Sequence, residues 1–158
     1  LNKLTFDKAF FCLKIRTGET IFTEVVDVDD HAMTLYNPML VVTDINAQDE
    51  LLSLVPWIPF TVRKFLPIPI NMIYFADNLN KTFFEYYGRT VIQYEMNKIK
   101  QRVYQKMDSK SDYVVISEGL DEMKKMSEEL VAKFGVDGPD FSEFEAILDK
   151  HKSNIVMH

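Results

Sequence analysis

The period of the apolar residues changes near residue 79, and that change limits what this chain can fold into. Before it, apolar residues alternate in short runs broken by turns; after it, they recur every three or four residues. Phe11, Leu13 and Ile15 alternate with Cys12, Lys14 and Arg16, the pattern of a half-buried strand. Thr17-Gly18-Glu19 breaks that run, and Gly18 admits the positive φ of a tight turn. Thr20–Val28 is dense in β-branched residues, which suit a pleated surface. Asp29-Asp30-His31 is the next turn, and 32–43 reads as a third strand. Pro38 inside it removes a ladder donor, so this strand is bulged or has an edge there. Three strands with two short turns predict an antiparallel meander.

Two further apolar segments, 51–60 and 65–75, are crowded by Pro56, Pro59, Pro67 and Pro69. That density forbids a central strand in a flat sheet and points to edges, bulges or a proline-shaped loop. Asn71–Phe75 is the clean strand piece. Residues 1–9 read as a brief helical turn or an extended arm, and 44–50 as a polar loop.

Beyond residue 78 two overlapping stripes, Phe84/Tyr87/Val91/Tyr94 and Ile92/Met96/Ile99/Val103/Met107, predict a helix over roughly 79–106, capped by Asp77 or Asn78. Gly88 marks a kink or a boundary within it. After a polar linker at 108–112, Leu120, Met123, Ser127, Leu130 and Phe134 form another helical stripe, ended by Gly135. Phe141, Phe144 and Leu148 mark a last short helix. The tail's apolar faces need a partner: the sheet, a neighbouring chain or another protein.

At roughly 100–200 residues per domain, 158 residues make one domain with room for an appendage. With 12 Phe, 7 Tyr and 1 Trp the chain can bury a core, which excludes disorder throughout. No apolar run approaches the ~18 residues of a membrane span, and no basic stretch precedes an apolar leader, so neither a membrane partner nor secretion is expected. Cys12 is the single cysteine, which excludes an intramolecular disulfide and a multi-cysteine zinc site and suits a reducing compartment.

The net charge of −6 is unevenly spread: 1–78 carries −4, 79–107 carries +4 and 108–158 carries −6. The basic middle stretch is either a solvated face or a surface for an anionic partner.

The segment Leu13 to Leu35, LKIRTGETIFTEVVDVDDHAMTL, resembles the first motif of Sm and Sm-like (LSm) proteins, bacterial Hfq among them. Gly18 matches the turn glycine. Val28 or Asp29 stands at the apolar position, Asp30 at the acidic one, Met33 at the apolar residue opening the third strand, and Thr34 at the asparagine position. The continuation through TLYNPMLVV, LVPWIPF and a helix opening on Phe83-Phe84-Glu85-Tyr86-Tyr87 is similar to the Sm-like proteins of tailed bacteriophages, cyanophages in particular. The likeness covers the layout of residues 10–107, with its motif residues at 10–42. Thr23 or Glu24 occupies the region of the family's second glycine, so the second strand must bend another way. In place of the basic pair of the second motif stands Pro67-Ile68-Pro69-Ile70-Asn71.

The resemblance implies a mainly β fold: an Sm-like, SH3-type small barrel of five strongly bent antiparallel strands at 1–107 with its helix, followed by an acidic helical tail at 108–158. It also implies a homo-oligomeric ring, pentamer or hexamer, that binds single-stranded RNA in the cytoplasm of a bacterial host or within a virion. The expected RNA contacts are Lys14, Arg16, Asp30, His31, Thr34, Tyr36 and Asn37, at the first-motif positions that face the ligand in the family. The physics of exposed edges points the same way: pairing one copy's fourth strand with the next copy's fifth removes both edges and closes a ring. The alternative is that the prolines of 56–69 blunt the edge and leave a monomer. A second function, without RNA, is an assembly adaptor of a virus that grips a viral or host protein through 108–158.

Other chemistry finds little footing. His31 between acidic neighbours has no second nitrogen ligand close in sequence, so it reads as part of a polar turn. Asp27, Asp29 and Asp30 lack the loop glycine and distal Glu of an EF-hand. There is no Gly-rich phosphate loop or nucleophile elbow, and Cys12 lies mid-strand. Asn80-Lys81-Thr82 is a sequon without a secretion signal. Trp57, Phe60, Tyr74, Phe83, Phe84, Tyr86 and Tyr87 read as packing or interface residues before base-stacking ones. No enzyme activity, cofactor or metal is therefore expected.

Overall fold

The structure is a computed structural model and describes residues 9–44, 51–58, 64–107 and 112–156. The expected N-terminal arm, most of the 44–50 loop, Phe60 and most of the 108–112 linker lie outside these residues. The chain divides within its longest helix into two compact units, one ending at Tyr87 and the other beginning at Gly88.

In the first unit, β1 (Phe10–Ile15), β2 (Thr20–Val28) and β3 (Ala32–Asp44) form the expected antiparallel meander. β4 (Leu51–Pro56) and β5 (Phe65–Pro69) both pair with β3, β4 along Met39–Asp44 and β5 along Ala32–Tyr36. The two share one margin of the sheet, interrupted by 57–64. A 3-10 turn, Ile70–Met72, leads into β6 (Ile73–Asn78), which pairs with β1 on the opposite margin. The count is therefore six strands, not five. The apolar run 65–75 holds two strands separated by the 3-10 turn, because Pro67 and Pro69 sit opposite Thr34 and Ala32 on an outer strand, where a missing N–H costs no ladder bond.

Among the described residues no ladder joins β6 to β4 or β5, so the sheet is unclosed. It is nonetheless strongly curled. In the order β5-β3-β2-β1-β6 a flat sheet separates its outer strands by four spacings, about 19 Å. The chain from Pro69 to Ile73 reaches at most about 14 Å. Two register irregularities let the strands bend. Opposite Thr23, β3 spends two residues, Asn37 and Pro38; opposite the Leu35–Thr34 step, β2 spends an extra one, Val26. Pro38 is thus in a bulge, and Asn37 adopts φ 49°, a left-handed conformation asparagine tolerates. β2 bends at these bulges without the family's second glycine.

The concave side buries Phe11, Leu13, Ile15, Ile21, Val25, Met33, Leu35 and Ile68. The other face is covered by the start of α1 (Lys81–Lys106): Phe83 lies 5.5 Å from Phe22 and Phe84 4.9 Å from Phe10, measured between ring centroids. The helix is capped by Asn80, whose Oδ1 accepts the Phe83 N–H at 2.9 Å. Asp77 and Asn78, the expected caps, stay in β6 opposite Cys12 and Phe11.

In the second unit α1 continues, joined by α2 (Asp112–Phe134) and α3 (Ser142–Val156). Helices hold more of the described residues than strands, so the class is mixed α/β and not mainly β. The stripes of the tail bury Ile116, Leu120, Met123, Phe134 and Phe144. Gly88 does not end α1, but the second compact unit begins at it, and it seats Phe134, whose Cγ would stand 2.5 Å from a Cβ at that position. Gly135, at φ 63°, ends α2, with its N–H donating to Val131 O at 2.8 Å.

Tyr87 ties α1 to the bend in β3. It is 1% exposed, and its hydroxyl donates to Asn37 O at 2.8 Å and Tyr36 O at 3.3 Å. Burial pushes the phenol far above the ordinary tyrosine range, so it remains a neutral donor. Tyr87→Phe leaves carbonyls of the bulge without this donor. It is expected to cost about 1–2 kcal/mol, read as a lower urea midpoint with an unchanged m-value.

Candidate nucleic-acid interface

The 3-10 turn organises the residues that the sequence singles out. Its Met72 carbonyl accepts the Arg16 N–H at 2.8 Å, and its Ile70 N–H donates to His31 O at 2.9 Å. The end of β1 and the β2–β3 turn are therefore held on two sides of one three-residue segment. The Arg16 guanidinium adds a hydrogen bond from Nε to Asn71 O. Arg16, Asp30, His31 and Asn71 are all exposed around this turn.

Each flanking turn is fixed by its own polar residues. Gly18, at φ 110°, donates its N–H to Ile15 O at 2.9 Å. Lys14 Nζ reaches over the hairpin to Gly18 O at 2.7 Å and Thr20 Oγ1 at 3.4 Å. Thr17 donates its hydroxyl to Glu19, which lowers the Glu19 carboxyl below its ordinary range. In the second turn Asp29 Oδ1 accepts the N–H groups of His31 at 2.7 Å and Ala32 at 2.8 Å. Those two bonds hold the Asp29 carboxyl below the ordinary aspartate range.

The remaining expected contacts lie further along β3. Thr34 and Tyr36 alternate with the buried Met33 and Leu35, which puts them on the opposite face. Tyr36 is 5.3 Å from Phe65 across the β3–β5 ladder, with ring planes 33° apart. Asn37 sits in the bulge, its carbonyl taken by Tyr87. The seven residues thus fall into three places: Lys14 on the first hairpin, Arg16, Asp30 and His31 about the 3-10 turn, and Thr34, Tyr36 and Asn37 up β3.

Of the aromatic residues weighed for stacking, Phe83, Phe84 and Tyr87 pack against the sheet, and Tyr86 donates its hydroxyl to Leu52 O at 3.1 Å. Trp57 packs against the concave core, while Tyr74 is 74% exposed. Sequence reasoning missed Phe65 and Phe75, at 53% and 56% exposure. Both sit in apolar runs that look like core strands, and only the margin position of β5 and β6 exposes them. An open groove along β2, lined by Ala9 and Glu24–Val28, carries Glu24 and Asp27, the wrong sign for a polyanion.

Among the described residues no three His, Cys, Asp or Glu side chains are placed to hold a metal ion. Nor is any described helix long and apolar enough to cross a membrane. Burial and the nearby Asp77 raise the Cys12 thiol above its ordinary range, which favours the thiol over the thiolate. No family model and no curated protein matches the chain.

A carboxyl whose pKa is lowered by folding contributes stability above its ordinary range, and that contribution is lost as pH falls through the lowered value. The stability of the chain should therefore drop below about pH 4. Asp29→Asn keeps an acceptor for the turn but removes the titration. Its urea midpoint is expected to fall less steeply with acid than that of the parent; an equally steep fall would show that Asp29 does not contribute.

Proposed function

We propose that the chain is an Sm-like small β-barrel of the phage-encoded type, that copies pair head to tail into a ring, and that the ring binds single-stranded RNA. The observation that carries this reading is the 3-10 turn Ile70–Met72, which joins the opposite margins of the meander and forces it to curl. β4 and β5 together act as one long fourth strand along β3, interrupted by 57–64, and β6 acts as the fifth strand returning to β1.

The margins support assembly. β6 pairs with β1 along one edge and presents Tyr74 and Phe75 largely to solvent; the other margin presents Val55, Ile58 and Phe65. Unpaired N–H and C=O groups beside exposed aromatics recruit another strand. The two margins belong to opposite ends of the sheet, so the contact is heterologous, and a fixed rotation closes it into a ring.

RNA binding rests on chemistry in three places: about the 3-10 turn, on the first hairpin and along the β3–β5 ladder. Arg16 and Lys14 supply exposed cations, His31 and Asn71 supply polar groups, and the Tyr36–Phe65 pair supplies a surface on which a base can stack. Asp29 accepts two backbone N–H groups, which fix its carboxylate in the turn and leave its negative charge in place.

Fluorescence anisotropy with a labelled single-stranded RNA tests the reading. Affinity is expected to fall with salt, at about −0.7 in log–log slope per phosphate contacted. Lys14→Gln/Arg16→Gln should weaken binding at least roughly ten-fold at 0.1 M salt. Absence of binding at every salt concentration would remove the RNA reading and leave the ring as an adaptor.

A further inference from the structure

α1 carries a second surface that the barrel reading does not use. Between Gly88 and Lys106 it holds five cations, Arg89, Lys98, Lys100, Arg102 and Lys106, and one acid, Glu95. The Glu95 side chain is 14% exposed and paired with Lys98 at 3.0 Å. Arg102 is shared with Glu122 of α2 at 2.6 Å. The exposed side of this helix is therefore electropositive within a chain of net charge −6.

The arrangement is not that of an ordinary solvated helix, whose surface alternates acids and bases at four-residue steps. Here those steps fall on Gln93, Asn97, Gln101 and Gln105, all exposed, opposite the buried Val91, Ile92, Met96, Ile99 and Val103. Each step of four turns the helix by about 40°, so the amides form one slowly winding stripe. At 100° per residue Arg89, four residues before Gln93, heads the stripe, Lys100 flanks it on one side, and Lys98 and Arg102 flank it on the other. Gln93 Nε2 donates to Asn97 Oδ1 at 3.3 Å, and Lys98 lies 4.6 Å over the Tyr94 ring. An amide both donates and accepts without charge, which suits the edges of unpaired bases; cations at the margins suit a phosphate backbone.

We propose that the exposed face of α1 from Arg89 to Gln105 is a contact surface for single-stranded RNA, with phosphates on its margins and base edges on its amide stripe. The proposal rests on the RNA reading above and adds a site to it. Charge complementarity selects the polyanion: the face offers cations and no exposed acid of its own, and uncharged amides in place of an apolar seam.

The test uses the full chain and a labelled single-stranded RNA in anisotropy titrations over a range of salt. Arg89→Gln/Lys100→Gln removes two cations without altering the core. At −0.7 per contact the slope should become shallower by about 1.4, equivalent to roughly 25-fold weaker binding at 0.1 M salt. Gln93→Glu/Gln101→Glu preserves side-chain shape and helix propensity and sets two negative charges in the stripe, so it should weaken binding at least as far. Both variants should melt like the parent by circular dichroism.

Parental affinity and slope in both variants, beside a loss in Lys14→Gln/Arg16→Gln, would overturn this inference and leave the RNA reading standing. A parent that binds no RNA would overturn both. A change in oligomer mass in either variant, with RNA affinity intact, would make the face a contact between copies and overturn it as well.

Discussion

Four residue steps from Pro69 to Ile73 must connect strands at opposite margins of the sheet, and that reach sets the shape of the first unit. A flat meander of these strands is too wide for the connection. The bulges at Asn37-Pro38 and Val26 supply the bending, and the hydrogen bonds from Arg16 to Met72 and from Ile70 to His31 hold the curl at both ends of the turn. Without the connection, Leu13, Ile15, Met33 and Leu35 would have no common interior to share. The same turn sets the candidate interface, because it brings the end of β1 and the β2–β3 turn to one place.

The outer face of the sheet depends on a second tie. Phe83, Phe84 and Tyr87 cover Phe10 and Phe22, and the buried Tyr87 hydroxyl donates to Asn37 O in the β3 bulge and to Tyr36 O beside it. A bulge leaves backbone acceptors unpaired, and a buried acceptor without a donor is costly. The bend that lets the sheet curl is therefore maintained by the first turns of the helix on its other face. In the second unit, contacts are set by glycines: Gly88 admits Phe134, and Gly119 admits Val103.

Much of this was legible locally. Alternation with a Gly turn gave β1 and β2, and the overlapping stripes gave α1 to within two residues of its ends. What failed needed distant partners. The run from Phe65 to Phe75 carries Pro69 and Asn71 at its middle, but what makes two strands of it is the pairing of β5 and β6 to different partners. Asp77, Asn78 and Asn80 are equally good caps on chemistry alone; the length of the β1–β6 ladder leaves Asn80 the position. Gly88 marks the boundary between the two units, but its contact with Phe134, which lies in another helix, was not legible. At the interface, the exposure of Lys14 and Arg16 was legible from strand alternation and that of His31 from its turn. The backbone acceptors held by Lys14 and Arg16 were not, and neither was the exposure of Phe65 and Phe75.

Exposed margins connect the fold to its proposed use, since among the described residues no strand pairs with the outer edge of the curled, unclosed sheet beside Tyr74 and Phe75 or beside Phe65. Light scattering behind a sizing column, with absorbance at 260 and 280 nm recorded on the same peak, addresses that point directly. The account predicts one compact peak at an integral multiple of the single-chain mass. A peak at the single-chain mass across the concentration range would contradict it, since the margins would then need no partner and the ring could not form.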